Sequence, residues 1–192
     1  MVLFVNACVR RESRTKRLAE KLLGRLGNYE EINLNQADFA ALTGESLEKR
    51  EQYIAKRDFD HPMFDAAKQF ASADDIVIAA PYWDAAFPAI LKIYLENIYV
   101  TGIVSQYGSD GRPEGLCKAG RLYYVTTAGG PYVPDFSYTY LSRLAKECFG
   151  IGETYLIKAE MLDVEGFVPE TILAQAEAEI DTMFLKKGGK HI

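Results

Sequence analysis

A chain of 192 residues with 48% hydrophobic and 26% charged content is long enough to bury the core of one domain. Its formal net charge of −5 argues against a broadly basic surface for nucleic acid or anionic membrane, while leaving room for a local basic patch. No apolar run nears the roughly 20 residues that span a bilayer, and Met1 leads into a strand pattern rather than a signal sequence, so the expected compartment is the cytoplasm.

Short apolar runs alternate with helix-period stretches, the sequence form of consecutive βαβ units. The first strand is Val2-Leu3-Phe4-Val5, and Leu18, Leu22 and Leu26 with Ala19 and Leu23 make the stripe of the first helix, ended by Gly27 and Asn28. Residues 31–34 read as the second strand. Residues 45–57 read as a surface helix anchored by Leu47, Tyr53 and Ile54, and Asp60-His61-Pro62 restarts the chain into a helix over 63–70. The third strand, 76–80, is followed by Pro88 at the start of a helix over 89–99 whose buried stripe is Leu91, Tyr94, Leu95 and Ile98.

Asp110-Gly111 favours a tight turn and centres a small hairpin excursion within about residues 103–116. Residues 122–125 form the fourth strand. A helix carrying Leu141, Leu144, Ala145 and Cys148 ends at Gly150 and Gly152, and residues 153–159 supply the fifth strand. Pro169 opens the last helix, with Ile172, Leu173, Ala176, Ile180, Met183 and Phe184 at helical spacing, and residues 186–192 read as a frayed tail. With no repeat or linker, residues 1–192 read as a single domain.

Three strand ends carry the chemistry. They are residues 6–15 after the first strand, Pro81-Tyr82-Trp83-Asp84-Ala85-Ala86-Phe87-Pro88 after the third, and Thr126-Thr127-Ala128-Gly129-Gly130-Pro131-Tyr132 after the fourth. In a parallel sheet with these strands adjacent, the three meet at the carboxyl edge, where such folds bind ligands. Arg10, Ser13, Arg14 and Thr15 then stand at a helix N-terminus, whose free N–H groups and positive dipole end attract phosphate. The plainer reading makes Ser13 or Thr15 an N-cap and leaves the arginines solvated.

Tyr82, Trp83 and Phe87 either wall a flat pocket or pack in the core. Ala128-Gly129-Gly130 lacks the side chains that would keep backbone N–H groups from a planar heterocycle. A ligand with a phosphate tail and a flat ring, such as a flavin, fits all three segments. The loop has neither G-x-G-x-x-G nor G-x-x-x-x-G-K-[ST], which argues against a Rossmann dinucleotide site or a P-loop. Cys8, Cys117 and Cys148 form no C-x-x-C pair, and with His61 and His191 they suggest neither a disulfide framework nor a metal site.

These residues resemble a known family. The arginine- and serine-bearing first loop, P-Y-W-D-x-x-F-P-A before a helix continuing L-K-x-Y-L, a glycine-containing hairpin and T-x-G-G-P-Y are similar to the flavodoxin-like NAD(P)H quinone dehydrogenases and FMN-dependent NADH azoreductases, over about residues 2–180. The resemblance implies a flavodoxin-like α/β three-layer sandwich: a five-stranded parallel sheet in the order 2-1-3-4-5 with helices on both faces. It implies that Ser13, Arg14 and Thr15 hold the FMN phosphate, joined by Cys8 and Arg10 at the cofactor end. Pro81, Tyr82, Trp83 and Asp84 would line the ring, with Thr127, Ala128, Gly129 and Gly130 at its pyrimidine end.

It further implies a homodimer and ping-pong hydride transfer of two electrons from NADH or NADPH to a quinone or related aromatic acceptor. No side-chain acid or base is obligatory, because flavin carries the chemistry; Gly129 and Gly130 act as backbone donors. Tyr132, Phe136 and Tyr138 are expected to wall the substrate pocket or simply to pack at a helix start. The chain departs from azoreductases in having Asp84 for their common Asn, Ala85 for Phe, and Thr127-Ala128-Gly129-Gly130 where S-R-G-G is frequent. A carboxylate at Asp84 near the ring is expected to lower the flavin potential.

Two other readings remain at this stage. Cys8, five residues, Arg14 and Thr15 spell C-x5-R-[ST], which resembles the nucleophile loop of low-molecular-weight tyrosine phosphatases and would make Cys8 a nucleophile beside Arg14. A non-catalytic flavin-binding electron carrier is the third possibility.

Overall fold

The computed structural model describes residues 1–185, and the expected frayed tail lies outside them. Its strands are β1 (Val2–Asn6), β2 (Tyr29–Asn33), β3 (Asp75–Ala79), β4 (Ser105–Tyr107), β5 (Pro113–Gly115), β6 (Arg121–Thr127) and β7 (Glu153–Ala159). Its helices are α1 (Arg14–Leu26), α2 (Gly44–Lys56), α3 (Asp65–Ser72), α4 (Ala89–Ile98), α5 (Tyr138–Leu144) and α6 (Pro169–Leu185). Five strands make one parallel sheet in the order β2-β1-β3-β6-β7, and β4 and β5 pair antiparallel as a separate hairpin. With the hairpin set aside, the order is the expected 2-1-3-4-5.

The inner strands read as unbroken apolar runs because both faces of the sheet are covered. Successive side chains point to opposite faces. Phe4, Val77 and Tyr123 stand side by side and pack with Leu18, Leu22, Leu173 and Ile180 of α1 and α6. The alternate residues Leu3, Val5, Ile76, Ile78, Leu122 and Tyr124 face Phe70, Leu91, Tyr94 and Leu141 of α3, α4 and α5. Arg121 grips Asp75 through two 2.6 Å hydrogen bonds at the amino ends of β6 and β3, opposite the edge where the site lies.

Several boundaries differ from expectation for local reasons. β2 begins at Tyr29, two residues early, because edge pairing with Val2 requires no apolar side chain there. Leu34, expected at its end, lies just past the strand, buried, and donates its N–H to Asn6 O. The 63–70 helix divides into a 3₁₀ turn, Pro62–Phe64, and α3. Leu47 of α2 is exposed, whereas Tyr53 and Ile54 pack on the core as expected. The helix through Cys148 widens into a π-turn over Ala145–Phe149 and stops at Gly150, whose φ of 76° is the left-handed geometry glycine supplies at a helix end. Gly152 is not part of that stop.

Candidate functional site

The parallel order brings the carboxyl ends of β1, β3 and β6 together. The chain leaves β1 through Asn6, which is 1% exposed, donates from Nδ2 to Glu31 Oε1 at 2.8 Å and accepts the Cys8 N–H on Oδ1 at 2.9 Å. This turn swings Val9 to Glu12 outward before α1 begins. Ser13 is the N-cap of α1: its side chain accepts from Lys16 N at 3.2 Å. Capping and anion binding are compatible here, since one hydroxyl satisfies one amide and the first turn has four amides without intrahelical acceptors. Thr15 is buried, and its hydroxyl meets that of Thr127 at the end of β6 at 2.6 Å.

After β3, Ala80 N–H donates to Val125 O and Tyr82 N–H to Thr127 O, so this segment follows β6 beyond the strand's formal end. Trp83 and Ala86 then exchange backbone hydrogen bonds of 3.1 and 2.8 Å around Asp84 and Ala85, whose φ values are 49° and 66°. Two consecutive left-handed residues make a tight turn, which the sequence reading did not foresee at an Asp-Ala pair. The Tyr82 ring lies against Tyr132, centroids 4.8 Å apart, and its hydroxyl donates to Pro134 O at 2.8 Å.

After β6, the carbonyls of Ala128, Gly129 and Gly130 accept from the N–H groups of Leu162, Asp163 and Met161. The N–H groups of Gly129 and Gly130 donate to no protein acceptor among the described residues. Neither glycine has a positive φ. At Gly129 the requirement is space, because a Cβ there would sit 2.5 Å from Asp163 Oδ2.

A cavity of about 780 Å³ opens between these segments, in the size range of mononucleotide and drug-sized ligands. It gathers Arg10, Ser13, Arg14, Thr15, Pro81, Tyr82, Trp83, Thr127, Ala128 and Gly129 of the expected site. The sequence reading missed Leu162 and Asp163 from the loop after β7, and Glu170 and Leu173 from α6. No motif marks that loop; only its tertiary pairing with Gly129 brings it to the wall.

Other expected residues stand elsewhere. Gly130 and Asp84 are not on the cavity wall, and Asp84 sits on an exposed turn where solvent screens its charge. Tyr132 is buried, with its hydroxyl shared between Asp135 at 2.9 Å and Ser137 at 2.5 Å. Tyr138 points its hydroxyl at Thr154 O, 3.1 Å away. Both hydroxyls are thus engaged within the protein. Phe136 is 64% exposed.

Cys8 is also off the cavity wall. Its Sγ faces Ala79 O at 3.7 Å, and burial pushes the thiol up to about 11, only partly offset by a hydrogen bond with Ser13. A phosphatase nucleophile needs an exposed, activated thiolate, so this placement removes support from the hydrolase reading.

The donor set suits a flavin mononucleotide. A helix start with a hydroxyl cap and arginines, the aromatic Tyr82 and Trp83, and Gly129 with its unpaired amide all line this one cavity.

A family model described as a flavodoxin-like fold matches residues 1–183. The FMN-dependent NADH:quinone oxidoreductase of Clostridium beijerinckii is 32% identical over 192 residues, 91% of this chain and 93% of the relative. The protein of the same name from Coprothermobacter proteolyticus is 31% identical over 184 residues, 90% of each. FMN-dependent NADH:quinone oxidoreductase 2 of Clostridium acetobutylicum is 42% identical over 119 residues, a match spanning 59% of each chain. Among solved structures, the azoreductase from Bacillus anthracis str. Sterne has a TM-score of 0.81 at 20% identity, covering 95% of this chain and 97% of that one, a likeness of fold alone. The FMN-dependent NADH-azoreductase from Bacillus anthracis str. Ames Ancestor, solved with FMN, gives 0.80 at 22%, covering 95% and 96%. The chain therefore belongs to the flavodoxin-like family that includes the proteins named FMN-dependent NADH:quinone oxidoreductase.

Proposed function

We propose that this protein is an FMN-dependent NAD(P)H:quinone oxidoreductase. The observation that carries the reading is one cavity joining the capped start of α1 to the Gly129 turn along the wall of Tyr82 and Trp83. Curated relatives covering nine-tenths of the chain bear the corresponding name. Bound FMN would supply the two-electron hydride chemistry in ping-pong order, with a nicotinamide as donor and a quinone or related aromatic compound as acceptor.

The chain's own residues bind, orient and compensate charge. Arg14, Ser13, Thr15 and the first-turn amides of α1 take the phosphate, with Arg10 adding to the field. Tyr82 and Trp83 give the ring a flat apolar wall. The N–H group of Gly129 offers a preorganised donor to a ring that gains negative charge, so no side-chain acid or base is required.

The protein is further proposed to act as a cytoplasmic homodimer. Trp83, Val133, Phe136 and Tyr140 leave large apolar areas exposed on the segments around the site, and a second protomer would cover them. Phe136 then bounds the acceptor's space from the interface. The net charge of −5 gives no support to a nucleic-acid partner, and no described helix is long and apolar enough to cross a membrane.

The test is to add FMN, desalt, and record absorbance before and after anaerobic addition of NADH or NADPH, followed by a soluble quinone. Flavin bands retained at about one per chain, bleached by nucleotide and restored by quinone, are the expected result. A protein that retains no FMN overturns the proposal, and one that bleaches but is not reoxidised by quinone favours the electron-carrier alternative.

A further inference from the structure

Five cationic side chains line the cavity: Arg10, Arg11, Arg14, Lys16 and Arg17. Three already hold carboxylates. Arg17 is paired with Glu170 at 2.7 Å and Glu177 at 2.8 Å, Lys16 stands 3.7 Å from Glu20, and Arg14 is paired with Asp163 at 2.7 Å. Glu170 and Glu177 lie on α6, so the Arg17 pairs join α1 to α6, while Lys16 and Glu20 are neighbours one turn apart on α1. Asp163 belongs to a loop and is held differently.

Its backbone N–H donates to Gly129 O at 2.8 Å, and its Oδ2 fills the space that a Cβ on Gly129 would need. The backbone of Asp163 is thus tied to the Gly129 turn, and its carboxylate stands between that turn and the start of α1. Arg14 also reaches Leu162 O at 3.4 Å, so its guanidinium is drawn toward the 162–163 loop from both acceptors. The ion pair is largely solvent-exposed, with side chains 43% and 64% accessible, and such a pair is weak enough for a stronger anion to displace.

We propose that Asp163 is a tethered counter-ion of the phosphate subsite. Its carboxylate occupies Arg14 until a phosphate ester takes its place, and its charge then opposes the phosphate. Asp163 thereby limits how tightly FMN is held and keeps the cofactor exchangeable. This rests on the FMN reading above and adds to it a residue that weakens binding at the phosphate end alone. Riboflavin, which has the ring and ribityl chain without the phosphate, is the matching control.

The experiment titrates the wild-type protein, Asp163→Asn and Asp163→Ala with FMN and with riboflavin, following flavin fluorescence, and measures FMN release after dilution. Asparagine keeps the shape and an acceptor for Arg14, so it removes charge with little other change. Both variants are expected to bind FMN about tenfold more tightly and release it more slowly, because the carboxylate that shares Arg14 with the phosphate is gone. Riboflavin affinity is expected to stay the same in all three proteins. In an Arg14→Gln background the gain from Asp163→Asn should shrink, because the competition for Arg14 is gone.

Wild-type-like or weaker FMN binding by a folded Asp163→Asn protein overturns the inference and makes Asp163 a positioning residue for Arg14. An equal gain for riboflavin also overturns it, since the effect would not come from phosphate. Failure of the wild-type protein to bind either flavin overturns the FMN reading itself.

Discussion

The hydroxyls of Thr15 and Thr127 meet at 2.6 Å, tying the first turn of α1 to the last residue of β6. This contact joins the phosphate end of the cavity to the segment leading into Gly129. Its loss should loosen both. Thr15→Val removes one hydroxyl at nearly constant volume and is expected to cost about 1 kcal/mol of stability, read from urea unfolding. FMN affinity should fall roughly tenfold, while a Thr127→Ser variant, which keeps the hydroxyl, should stay close to wild type.

Cys8 offers a test that separates the oxidoreductase from the hydrolase. Burial pushes its thiol up to about 11, so the folded state holds the proton more tightly than the unfolded chain does. The resulting stabilisation is complete below the unfolded thiol value of about 8.5 and is lost as pH rises through about 11. Wild type should therefore lose more stability than Cys8→Ser between those limits, measured by denaturant unfolding across the range. Cys8→Ser should also keep FMN-dependent turnover of NADH with quinone, because no step of that chemistry uses the thiol.

Two glycines should respond unequally to alanine. A Cβ on Gly115 would lie 2.0 Å from Gly150 N and from the Phe149 carbonyl carbon, where backbone meets backbone and neither side can turn away. Gly115→Ala should cost about 3 kcal/mol or more, or leave little folded protein. At Gly129 the obstruction is the end of the Asp163 side chain, which can rotate. Gly129→Ala should fold with a loss under about 1 kcal/mol, and thermal melts of the two variants decide the comparison.

Ala85 carries a φ of 66° in the turn that closes Trp83 on Ala86. A left-handed alanine costs about 1 kcal/mol that glycine avoids, so Ala85→Gly should raise stability by about 0.5 kcal/mol. Asp84→Asn should be close to neutral in stability, since both residues tolerate this geometry. With Asp84 on an exposed turn, its effect on the potential of bound FMN should be small; redox titration of the two proteins checks this.

Much of this architecture was legible in the amino-acid order. Strand periodicity, the Leu18-Leu22 stripe, Pro88 at a helix start and the Asp110-Gly111 hairpin each rest on local rules of side-chain spacing and backbone freedom, and each stands where those rules put it. The first-loop, Pro81-Trp83 and Gly129 segments were also readable, because a parallel sheet must deliver consecutive strand ends to one edge. The left-handed Asp84-Ala85 turn was not, because the backbone hydrogen bonds between Trp83 and Ala86 impose it against alanine's own preference.

What the sequence by itself determined was therefore the layered sheet and the chemistry gathered at its carboxyl edge, since both follow from periodicity and from which residues end each strand. The tertiary structure alone decided which of those residues face the cavity. It turned Cys8, Tyr132 and Tyr138 into the packing and brought Asp163 across 149 residues to Arg14, because side-chain orientation and long-range pairing depend on the assembled core, which no local pattern encodes.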